Sequence, residues 1–327
     1  MSLFETFKIG NKRAKNRILV PPYQDDMAQR DGKVSHTIFE HLMRLVREGA
    51  GVVVFNSAYV TRQGKSSPFQ LGIAEEDHLA GLKNLVTHIK AEGVITGIRL
   101  SHAGAKTSER VCGEQPIGPS SINFGKDFDL SRPCDEDDVE ELCLFYAHAI
   151  ERAEEAGFDF VELNGAQQQL LDQCLHPRHN NREDRFGGKL ENRLRLATML
   201  VKAMKERIKN RLMVGYFFSI HDKLEDGFNA KHLKSMIKIL EDAGVDMPEE
   251  GATWDDWADA LRVVKSELGL TAGLAMDRTA HRWAGPAFSY GAKFHENGVP
   301  ILVDDGFKAF AETFVGWHEE GLMPAEG

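Results

Sequence analysis

Short runs of branched apolar residues, each set against a longer amphipathic stretch, recur through the first three-quarters of the chain. This alternation constrains the fold more than any other feature. Residues 51–56, GVVVFN, form a nearly unbroken β-branched run, the pattern of a strand buried on both faces. Residues 35–49 place Ile38, Phe39, Leu42, Leu45 and Val46 at helical spacing before Gly49. The unit repeats with helices over 77–93, 135–157, 190–209 and 229–244. Its strands fall at 17–22, 94–100, 158–163 and 212–218. Strands alternating with helices of this length predict βαβ units and a parallel sheet. No GxGxxG turn follows any of the strands, so the pattern favours a (β/α)8 TIM barrel over a dinucleotide-binding sheet.

The last third departs from the rhythm. Residues 243–246, AGVD, should lead into a sixth strand, yet the polar MPEEGATWDD follows. A helix is expected over 254–269, a strand over 300–303 and a helix over 308–320. The stretch between, with Trp283, Phe288, Tyr290 and Phe294, is irregular. We therefore expect one barrel domain over 1–327, regular through 246, with its last two to three units irregular or abbreviated over 247–327.

A chain of 327 residues, 42% hydrophobic, can bury a substantial core. Its net charge of −10 disfavours nucleic acid and anionic membranes as partners. No apolar run approaches the length of a membrane span. The opening MSLFETFKIGNKRAKNR has no apolar h-region, so a cytoplasmic location is expected. Cys112, Cys134, Cys143 and Cys174 form no CxxC pair and read as free thiols. His176 and His179 flank Pro177, which argues against a helical metal pair; no metal is expected.

The most distinctive segment spans 162–193, ELNGAQQQLLDQCLHPRHNNREDRFGGKLENR. It reads as a strand end, a loop and a charged lead-in to a helix. With FKIGNKRAKNRILVPP (7–22), SAYVTRQGK (57–65), RLSHAG (99–104) and PIGPSSI (116–122), it resembles the Old Yellow Enzyme, or NADH:flavin oxidoreductase, family over about residues 3–246. The resemblance implies a barrel that holds FMN across its C-terminal mouth. The flavin there takes hydride from NADH or NADPH and passes it to an electron-poor small-molecule acceptor. A homodimer is also compatible with the resemblance.

Carried over residue by residue, the resemblance sets Pro22, Tyr23 and Gln24 beside the flavin ring. It sets Ser57 at a small-residue position against the second strand. Arg99 takes the place of a glutamine at the pyrimidine edge. Asn164 and Gln167 stand at the substrate-binding positions, usually imidazoles, and Gln169 stands at the proton-donor tyrosine. Phe217 replaces a fifth-strand arginine, so Arg99 is expected to supply the missing cation from the third strand. Amides donate hydrogen bonds but transfer no proton at neutral pH. The nearest match to the phosphate-binding loop, residues 303–306, carries Asp304 and Asp305, and like charge there disfavours a phosphate without a compensating cation.

Two functions follow from these residues. The first is an FMN-dependent oxidoreductase whose mouth carries amides in place of the imidazoles and the tyrosine. The second is a flavin-free barrel acting as a binding or structural subunit. His102 is expected to fix its own loop, and the charged run 176–193 to position the next helix through ion pairs among Arg182, Asp184, Glu191 and Arg193.

Overall fold

The computed structural model describes residues 4–22, 26–218, 230–246, 295–296 and 299–300. In chain order these form β1 (Phe7–Ile9), β2 (Lys12–Ala14), β3 (Leu19–Val20), α1 (His36–Arg47), β4 (Val52–Tyr59), α2 (Leu79–Ala91), β5 (Ile95–Ser101) and α3 (Glu109–Cys112). There follow β6 (Ile117–Gly118), β7 (Arg132–Pro133), α4 (Glu136–Ala156), β8 (Phe160–Gly165), α5 (Leu170–Leu175), α6 (Leu190–Arg193), α7 (Arg195–Ile208), β9 (Met213–Phe218) and α8 (Ala230–Ala243). The chain divides into two compact units, Thr6–Glu249 and Glu250–Gly327 together with Met1–Glu5. Within the second, β10 (His295–Glu296) pairs antiparallel with β11 (Val299–Pro300). The helices expected over 254–269 and 308–320, Tyr23, Gln24 and the 303–306 loop lie outside the described residues.

In the first unit, strands β3-β4-β5-β8-β9 form one parallel sheet, in sequence order and with a helix between most neighbours. These are five successive barrel units. The lower part of β4, Val52–Phe55, is buried on both faces, which is why it reads as an unbroken apolar run. Val53, Phe55, Ile98, Leu100, Val161, Leu163 and Val214 join the main core with the buried faces of the helices. In α1 these are Ile38, Leu42, Met43 and Val46, each stabilising by about 1.5–3 kcal/mol relative to exposure. The alternate positions, Val52, Ile95 and Phe160, pack with Ala14, Phe7 and Ile9. The N-terminal hairpin thus covers the lower ends of the inner face. That hairpin was not evident in the sequence, because three-residue strands give no period to read.

Local chemistry sets the ends of the elements. The Ser35 hydroxyl caps α1 by accepting from the Ile38 amide at 3.1 Å. Asp135 and Asp138 form a capping box at the start of α4, and Gly157 ends that helix in the left-handed region. The helix expected over 190–209 breaks at Leu194 into α6 and α7. Strand β4 runs on to Tyr59, beyond the expected end at Asn56. Its register against β5 shifts between Phe55 and Ala58, setting Asn56 and Ser57 opposite Arg99. Such a bulge bends the strand and re-aims its side chains. Among the described residues no helix is long and apolar enough to cross a membrane.

Candidate functional site

The upper ends of β4, β5, β8 and β9 bring together most of the residues singled out in the sequence. In a parallel βα sheet this carboxyl end is where loops converge on a ligand. Arg99 pairs in register with Glu162, and Asn164 with Phe217. Arg99 is 3% exposed. Its Nε donates to Glu162 Oε2 at 2.6 Å, and its Cζ lies 3.6 Å from the centroid of the Phe217 ring. Stacking on an aromatic face and a carboxylate at its edge together hold a guanidinium in one orientation. Among the described residues its two terminal nitrogens have no hydrogen-bond partner. Arg99 therefore lies on the ring of Phe217, the residue at the position of the fifth-strand arginine. The expectation did not include Glu162, which balances its charge.

The amides are committed to one another. Asn164 Nδ2 donates to the Ser57 hydroxyl at 3.3 Å and to Gln167 Oε1 at 3.2 Å. Its Oδ1 accepts from the Ala166 amide at 3.3 Å. Asn164 is buried, Ser57 half-buried and Gln167 exposed, so Gln167 Nε2 is the amide donor left for a ligand. Gln169 is buried and caps α5; its Oε1 accepts from the Ser101 hydroxyl at 3.0 Å. It braces two strand ends and has no acidic proton to give. Pro22 is buried just beyond β3.

Residues 167 and 168 carry the strain of the loop. Gln167 (φ +61°) and Gln168 (φ +58°) are consecutive left-handed residues without glycine, a conformation that persists only when its surroundings over-determine it. Three side chains do so. Lys106 Nζ donates to the Gln167 carbonyl at 3.2 Å, and Asp172 Oδ2 accepts from the Gln168 amide at 2.7 Å. Gln173, fully buried, donates to the Gln168 carbonyl at 2.7 Å and the Ala103 carbonyl at 2.9 Å. Its Oε1 accepts from the Ala105 amide at 2.9 Å. One side chain thus clasps the loop after β5 to the loop after β8. Gly104 (φ +62°) is required beneath it, because a Cβ there would come within 2.3 Å of Gln173 Oε1.

Lys106, Glu162, Asp172 and Gln173 were not singled out from the sequence, although three of them fall inside the distinctive 162–193 segment. Nothing in local spacing marks a glutamine as a clasp between loops 70 residues apart. His102 behaves as expected: its Nδ1 accepts from the Gly104 amide at 3.0 Å. Burial pushes its pKa down to about 4, with the Asp138 charge opposing weakly, so it is a neutral structural imidazole at physiological pH. In the charged run Arg182 pairs with Asp184 as expected, whereas Arg193 donates to the Gly188 carbonyl at 2.6 Å.

A cavity of about 570 Å³ lies at the opposite, lower end. Lys12, Lys90, Asp159, Lys205, Arg211 and Asp246 are among its walls, and each of these charges is already in an ion pair. Its size alone does not make it the site, because the lower end of such a sheet is where stabilising contacts collect.

The model of the NADH:flavin oxidoreductase / NADH oxidase family matches residues 2–267. The NADH oxidase of Thermoanaerobacter brockii is 30% identical over 246 residues, covering 75% of this chain and 38% of that protein. The NADPH dehydrogenase of Clostridium acetobutylicum is 34% identical over 206 residues, covering 63% of this chain and 60% of that protein. The chain thus spans less than two thirds of the length of either relative. The Old Yellow Enzyme of Pichia sp. AKU4542 superposes with a TM-score of 0.68 at 19% identity, over 74% of this chain and 67% of that one. The shared fold is the TIM barrel.

Proposed function

The chain belongs to the NADH:flavin oxidoreductase / NADH oxidase family, and on that premise we propose that it is an FMN-dependent oxidoreductase using NADH or NADPH. The single observation that carries this reading is the Arg99 guanidinium on the Phe217 ring. It puts a buried cation, with two unpartnered donor nitrogens, at the strand-end position where the resemblance calls for one. Ser57 and Asn164 would flank the flavin ring on the same face, and Pro22, Tyr23 and Gln24 would border it from the first strand. When bound, FMN supplies hydride transfer from the nicotinamide to an acceptor.

The chain's own residues then act by orientation. Gln167 Nε2 donates a hydrogen bond to the acceptor oxygen, and Asn164 holds Gln167 in place through its Oε1. A preorganised donor of this kind stabilises charge that develops on an oxygen. Neither Asn164, Gln167 nor Gln169 moves a proton, so the proton comes from water or from the substrate. General acids typically contribute about 10²–10⁴-fold, and a slow turnover is expected.

One observation favours the flavin-free alternative: Glu162 already neutralises Arg99. A single experiment separates the readings. Incubated with FMN and desalted, the protein should retain stoichiometric flavin that NADH or NADPH bleaches under anaerobic conditions. A preparation that stays colourless after FMN is added overturns the enzyme reading and leaves the binding or structural one.

A further inference from the structure

Lys106 is the cationic side chain of the strapped loops, and the fold leaves its bonding incomplete. Its ammonium is half-buried beside the β8 loop and makes a single hydrogen bond, to the Gln167 carbonyl at 3.2 Å. Among the described residues it forms no ion pair. Asp172 is the acidic neighbour that acts on it electrostatically, but the Asp172 carboxylate accepts from the Gln168 amide at 2.7 Å. Burial pushes the Lys106 pKa down, with Asp172 opposing. An ammonium has three donors, and a desolvated one gains most from an anionic acceptor.

The neighbouring donor is Gln167 Nε2, whose own oxygen is occupied by Asn164. Across the sheet the charges of Arg99 and Glu162 cancel. With Asp172 counted the charges around the mouth balance, so what sets Lys106 apart is geometry: among the described residues its ammonium makes one hydrogen bond and no ion pair, in a chain whose net charge is −10. Strained backbone at Gln167 and Gln168 keeps the carbonyl and the amide side chain of the same residue at fixed places.

We propose that Lys106 and Gln167 together bind a carboxylate, and that Lys106 makes the site select acceptors carrying an acid group over their neutral isosteres. The inference rests on the reading of the β5–β8 mouth as a ligand site, but not on flavin chemistry. Lys106 is then a specificity residue: its ammonium meets one carboxylate oxygen, and Gln167 Nε2 meets the other or the adjacent carbonyl. A purely structural Lys106, holding only the Gln167 carbonyl, would affect charged and neutral ligands alike.

The test is calorimetric titration of the purified full-length protein, after FMN loading, with trans-cinnamate and with trans-cinnamamide. The flavin content of the same preparation is read separately from its absorbance. Wild type should bind cinnamate about tenfold or more tighter than the amide, the size of one charge-assisted hydrogen bond. Lys106→Gln should bring the ratio of the two affinities near unity, and Lys106→Arg should keep most of the preference. Equal affinities in wild type, no binding of either ligand, a ratio unchanged in Lys106→Gln, or a parallel loss for both ligands would each overturn the proposal. Should Lys106→Gln not fold, the wild-type ratio and Lys106→Arg still decide it. A colourless preparation that keeps the cinnamate preference sinks the oxidoreductase reading alone; a flavin-loaded one without it sinks this inference alone.

Discussion

The two ends of the parallel sheet are held together by opposite means. At the lower end charges meet in pairs. Asp159, 3% exposed at its side chain, takes Lys90 at 2.8 Å and Lys12 at 3.3 Å, and accepts from the Thr96 amide at 2.9 Å. Lys205 reaches Asp246, and Arg211 reaches Glu154. At the upper end the Arg99–Glu162 pair and the Lys106 and Asp172 straps stand beside ties made by neutral amides: Asn164 to Ser57 and Gln167, Gln169 to Ser101, and Gln173 to both loops. Paired charges at a solvated rim tolerate small movements, because Coulomb attraction varies slowly with distance. Amide networks fix direction as well as distance, and a loop that must hold strained backbone needs direction.

If that contrast is right, the largest loss comes from the upper clasp. Gln173→Leu is nearly isosteric but leaves the Gln168 carbonyl and the Ala105 amide without partners, and the Ala103 carbonyl with the Lys106 amide alone. It should cost roughly 3–5 kcal/mol in urea unfolding and weaken any ligand at the mouth. A loss under about 1 kcal/mol, within the range of one ordinary hydrogen bond, would show that the loops hold without it.

Asp159→Asn tests the lower end, and we expect a smaller cost of about 2 kcal/mol from leaving Lys90 and Lys12 without their anion. Burial pushes the Asp159 carboxyl up, but hydrogen bonds from Lys90 and the Thr96 amide, with the Lys90 and Lys12 charges, outweigh it and hold its pKa below the usual value. A depressed folded pKa stabilises the fold fully above the unfolded value of about 3.9. That stability is lost as pH falls through the folded value. The gap between wild type and Asp159→Asn should accordingly be constant from neutral pH to about pH 5 and shrink below about pH 4. A gap independent of pH would mean that the carboxylate charge is not what holds this end.

The smallest effect belongs to Arg211→Ala, which removes a rim guanidinium paired with Glu154. It should leave the urea midpoint within experimental scatter, since exposed pairs are screened and costly to order. A clear shift would mean that the lower ion pairs act as one network.

Much of the scaffold was legible before any coordinates. Val52–Phe55 read as a buried strand because burial on both faces leaves no polar position in the run, and Val161 and Leu163 alternate with Glu162 as buried positions of the next. Ser35 and Gly157 marked helix ends because their chemistry is local. The hairpin of β1 and β2 was invisible, and the bulge at Asn56 and Ser57 equally so, since both arise from pairing across strands. At the site, the sequence singled out Arg99 on the third strand and Asn164, Gln167 and Gln169 at the end of the fourth, and the fold sets all four at the same end of the sheet. It read both Asn164 and Gln167 as donors to a ligand, whereas the fold commits the Asn164 amide to Ser57 and Gln167.

The sequence by itself determined the barrel scaffold and the place of its mouth, because strand burial, helix period and turn chemistry are encoded within a few residues of where they act. Tertiary structure decided what the mouth offers. Asn164 meets Ser57 across 107 positions, Gln169 meets Ser101 across 68, and Glu162 meets Arg99 across 63. A hydrogen-bond donor is available to a ligand only if nothing nearer has taken it, and its competitors here lie far along the chain. That competition leaves Lys106, the Arg99 tips and Gln167 Nε2 unsatisfied, and they are where a ligand has something to gain.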